Sequence, residues 1–76
     1  MVRDRRERFI SLAEARTDKA LNAIRLIGNL SNRSNYEYEE AEVNKIVRAL
    51  ESEVRAVKAR FADASAGRER TFRLKG

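Results

Sequence analysis

Cysteine, histidine and proline are all absent from this 76-residue chain, and glycine occurs only three times. Without cysteine there is neither a disulfide framework nor a thiolate metal site. Without histidine as well, the usual ligands of zinc, copper and haem are gone, and only carboxylates suited to magnesium or calcium remain. No run of carboxylates has the spacing of a calcium loop, so no metal or cofactor is expected. Gly28, Gly67 and Gly76 stand apart, which excludes a glycine-rich phosphate loop. Acid–base candidates are limited to carboxylates, tyrosines and lysines, and a non-enzymatic protein is predicted.

Long apolar runs are also missing. No stretch approaches the roughly 20 apolar residues of a membrane span. The charged start Arg3, Asp4, Arg5, Arg6, Glu7, Arg8 is followed by no apolar leader segment. A cytoplasmic protein with no membrane partner is the expectation. The two glycosylation-like triplets at Asn29 and Asn32 carry no weight without secretion.

What the chain does contain is two apolar stripes at alternating spacings of four and three. The first is Phe9, Ala13, Arg16, Ala20, Ala23, Ile27 and Leu30; the second is Val43, Val47, Leu50, Val54, Val57, Phe61 and Ala64. Such spacing keeps one line of side chains on one side of a helix packed against a neighbour. The fold class predicted is all-α: an antiparallel two-helix hairpin with coiled-coil-like heptad stripes. A hairpin of this length covers too little apolar surface to offset its conformational entropy comfortably, so a partner or a second copy is expected.

Helix one is placed at about residues 3–29, the hinge at about 30–36 and helix two at about 37–64, giving a hairpin over 1–65. Gly28 either closes helix one in a left-handed conformation or is passed by a helix that continues to Leu30. Ser31 to Asn35 is dense in side chains that bond their own backbone, which marks the turn. Ser34 with Glu37 fits a capping box for helix two, and a start nearer Glu39 is the alternative. Ser65, Ala66 and Gly67 are expected to end that helix. Residues 66–76 form a basic tail, predicted to be an extended arm or disordered.

Helix one is broader in its apolar surface than helix two. Ile10 and Ile24 flank its stripe on one side and Leu12 and Leu26 on the other, whereas helix two has Ile46 among mostly polar flanks. One narrow helix cannot cover such a face. Helix one is therefore the expected partner surface, and a twofold dimer forming a four-helix bundle is the simplest closed arrangement. Arg16 interrupts the stripe. Aligning Leu30 with Val43 puts it near Val57, with Glu53 one turn away, as a snorkelling side chain or as a partner-binding charge.

Charge divides by segment: residues 1–30 carry +3, residues 34–64 carry −2 and residues 65–76 carry +3. An antiparallel hairpin gathers Arg3, Arg5, Arg6 and Arg8 with Arg68, Arg70, Arg73 and Lys75 at its open end. Forked arginine donors suit phosphate oxygens, so non-specific contact with a nucleic-acid backbone is the leading expectation. An acidic protein surface is the alternative partner. That second reading makes the chain an adaptor, inhibitor or small subunit, docking Ile10, Leu12, Arg16, Ile24 and Leu26 with the hinge tyrosines Tyr36 and Tyr38.

Overall fold

The computed structural model describes the backbone of residues 2–69 and the side chains of residues 4–66. It is all-helical, with two long helices and, among the described residues, no strand. Helix α1 spans Val2–Gly28 and runs directly into a 3-10 turn at Asn29–Ser31; helix α2 spans Glu40–Glu69. The chain divides into two compact units between Glu37 and Tyr38, one built on each helix.

Unbroken helix over 27 residues follows from the composition of the first segment. Proline is absent, alanine recurs at 13, 15, 20 and 23, and the few β-branched residues are dispersed. Asp4 in the first turn and Arg25 in the last complement the helix dipole. Near that end the Arg25 guanidinium donates to the Asn22 side-chain oxygen at 2.9 Å, a pair three residues apart on one face.

Gly28 does not take the left-handed conformation that would close the helix. Its φ of −60° and ψ of −30° are right-handed helical, and the chain tightens into the 3-10 turn through Leu30. The turn ends at Asn32, whose φ of −70° and ψ of 100° are extended. Asn32 then makes several of the bonds of the connection. Its side-chain oxygen accepts from the Ser34 amide at 3.0 Å, and its carbonyl accepts from the Asn35 and Tyr36 amides at 3.1 and 3.0 Å. This Asx-type turn competes successfully with helix for those backbone groups.

Helix α2 starts later than the Ser34–Glu37 box implies. Ser34 lies inside the Asn32 turn, and Glu39 occupies the position before the helix. The Glu39 carbonyl accepts from the Glu42 and Val43 amides at 3.0 and 3.2 Å, while the Glu42 carboxylate accepts from the Glu39 amide at 2.8 Å. That return bond is the glutamate half of a capping box, and it sets the start near Glu39, the alternative to the Ser34–Glu37 box. At the other end α2 passes through Ser65, Ala66 and Gly67 to Glu69. Ala62, Ala64 and Ala66 favour helix strongly enough to carry it past the expected stop. Residues 66–69 thus belong to the helix, and the predicted tail beyond them lies outside the described residues.

No described residue is buried. Ala13, Ile27, Tyr38, Leu50 and Ala66 are partly covered, and every other described side chain is exposed. The exposed large apolar side chains include Phe9, Leu26, Val54 and Phe61.

Two substitutions test these local assignments. Gly28→Ala is expected to stabilise α1 by about 1 kcal/mol, since the backbone is already helical and a Cβ there meets nothing within 4 Å. A higher thermal midpoint by circular dichroism is the expected result, and a lower one would contradict the assignment. Asn32→Ala should speed hydrogen exchange of the Ser34 amide, with smaller effects at Asn35 and Tyr36. Unchanged exchange at Ser34 would contradict the turn.

Candidate nucleic-acid interface

Arg5, Arg6 and Arg8 sit in the opening turns of α1, and all three are exposed. At about 100° and 1.5 Å per residue, Arg5 and Arg8 project from neighbouring parts of the helix surface, and Arg6 is rotated away from both. The three therefore fan around the helix rather than lining one face. A groove beside them is lined by Asp4, Glu7, Arg8, Ser11 and Leu12, so two carboxylates share the surface with the arginines. The cluster keeps one positive charge in excess over residues 4–8.

Its position is electrostatically costly for the helix. Arginine at a helix N-terminus opposes the positive end of the dipole, where acidic residues are favoured. An anion placed there is attracted by the guanidinium groups and by the positive end of the helix dipole. Arg3 and Arg68 lie on helical backbone, but their side chains, like Arg70, Arg73 and Lys75 as a whole, lie outside the described residues.

The residues expected to meet a protein partner are all on described backbone. Ile10, Leu12 and Ile24 are exposed on α1, and among the described residues Leu26 is the most exposed large apolar side chain at 66%. Arg16 is exposed between them. Leu21 joins this surface at 45% exposure, beside Ile24 by a three-residue step, and the two-flank pattern read from the sequence omitted it. Its spacing to Ile24 was the available signal. Tyr36 is exposed at 48% and belongs to the first unit, whereas Tyr38 is partly covered and belongs to the second.

Among the described residues no group of three or more acidic, histidine or cysteine side chains could hold a metal ion. None of the described helices is long and apolar enough to cross a membrane. No known protein family, curated protein or solved structure matches the chain.

Proposed function

We propose that this is a small non-enzymatic accessory or regulatory protein that associates with nucleic acid through the phosphate backbone. Arg5, Arg6 and Arg8 make the contacts, joined by Arg3, Arg68, Arg70, Arg73 and Lys75. The helices act as a scaffold, and two hairpins paired by their apolar stripes form a four-helix bundle in the cytoplasm. The observation that carries this reading is the set of exposed arginines at the positive end of the α1 dipole. Helix stability does not account for them, and a bound phosphate would complement both the charges and the dipole.

The exposed apolar surface of α1 favours a second reading. A face of Ile10, Leu12, Leu21, Ile24 and Leu26 suits docking on a larger protein, with the arginines steering encounter with an acidic surface.

Fluorescence anisotropy with a mixed-sequence duplex oligonucleotide, titrated at several salt concentrations, separates the two. Backbone binding predicts a linear fall of log affinity with log salt. Arg5→Gln, Arg6→Gln and Arg8→Gln should each reduce the slope by up to about 0.9. Leu26→Asp should leave that slope unchanged. Absence of binding at low salt, or affinity indifferent to salt, would overturn the nucleic-acid reading in favour of the protein-docking one.

A further inference from the structure

The two stripes share more than their spacing. Phe9, Ala13, Arg16, Ala20, Ala23 and Ile27 are each followed 34 positions later by Val43, Val47, Leu50, Val54, Val57 and Phe61. The same displacement carries Arg5, Arg6 and Arg8 onto Glu39, Glu40 and Glu42. Helices packed in parallel and in register bring equal stripe positions into one layer. A parallel pairing of α1 with α2 would therefore set Ala13, Ala20 and Ala23 level with the larger Val47, Val54 and Val57, so that small faces large. It would also set each arginine level with a glutamate. An antiparallel pairing anchored on Leu30 and Val43 instead puts the arginines level with residues 65–68, a stretch with no carboxylate.

A single chain cannot make the parallel pair. Bringing Glu40 level with Arg6 means retracing 22 residues of α1 from Gly28, about 33 Å of helix. After the Asn29–Ser31 turn, nine residue steps remain, which reach about 32 Å at full extension. The Asn32 turn shortens that reach further. A parallel partner for α1 has to come from a second chain.

We propose that α1 of one chain docks in parallel and in register on α2 of a second copy, with Arg5, Arg6 and Arg8 level with the second copy's Glu39, Glu40 and Glu42. Twofold symmetry makes the exchange reciprocal, so each dimer contains two such pairs. This gives direction and register to the dimer described under Proposed function, on which it rests. It also places carboxylates where phosphate would bind, and nucleic acid competes with the partner's glutamates for the same arginines.

Two charge-reversed proteins test this by sedimentation equilibrium in low salt, where screening is weakest. One carries Arg5→Glu, Arg6→Glu and Arg8→Glu; the other carries Glu39→Arg, Glu40→Arg and Glu42→Arg. Each alone should dimerise at least about tenfold more weakly than the unmodified chain. Mixed in equal amounts, they should recover most of the lost affinity, because both pairs in the mixed dimer are again complementary. Damage to the α2 start by its reversal could weaken that protein alone, but could not produce recovery on mixing. Failure to recover, with the unmodified chain dimeric, would overturn the register while leaving the dimer standing; a monomeric unmodified chain would overturn both. Since the chain has no cysteine, mild oxidation of an Ala13→Cys and Val47→Cys mixture provides a second test. A disulfide-linked heterodimer is expected. Linking of Ala13→Cys with Phe61→Cys in its place would indicate antiparallel packing and overturn the proposal.

Discussion

Apolar side chains that stay in contact with water impose the condition on which the rest of this structure depends. Leucine, isoleucine, valine and phenylalanine recur at helical spacing on both α1 and α2, and none of those described is buried. Covering one such side chain fully contributes about 1.5–3 kcal/mol, the dominant favourable contribution in folding. Helices of 27 and 30 residues are long enough to form transiently alone, but most helix stability in proteins comes from packing an apolar face. Without covering, the helices depend chiefly on propensity and capping.

The parts of the fold that were legible in the sequence are those set by many residues together. Stripes repeated over several turns, with no proline to interrupt them, specify two helices whatever happens at any single position. Boundaries were harder because single side chains decide them. Ser34 and Glu37 satisfy the capping-box spacing as well as any pair, yet the Asn32 side chain takes the Ser34 amide and draws that residue into a turn. The cap then falls to Glu42, which reaches the Glu39 amide. Gly67 looks like a helix stop by composition, whereas Gly28 fits either a stop or a helix that continues to Leu30. In the structure Gly28 is right-handed and continuous with a 3-10 turn, and alanine-rich sequence carries α2 through Gly67.

The candidate site was legible in residue type and less so in arrangement. Four arginines close together in sequence announce a basic segment, but a helix distributes them by 100° per step and intersperses Asp4 and Glu7. The described part of the cluster is consequently a fan with a small positive excess, not a continuous basic face. Leu21 escaped a reading organised around two flanks because it widens one of them. The acidic opening of α2 was legible as dipole chemistry, and its equal spacing to the arginines is what the proposed dimer uses. In the proposed dimer, phosphate and a second copy would draw on the same charges, which would couple assembly to occupancy.

The most direct test of the demand for covering is far-ultraviolet circular dichroism at 222 nm across a wide dilution series of the unmodified protein. If a second copy covers the apolar faces, helicity falls on dilution along the mass-action curve of a dimer. Full helicity that stays independent of concentration would mean that a single chain satisfies its own apolar surface, and would contradict the account.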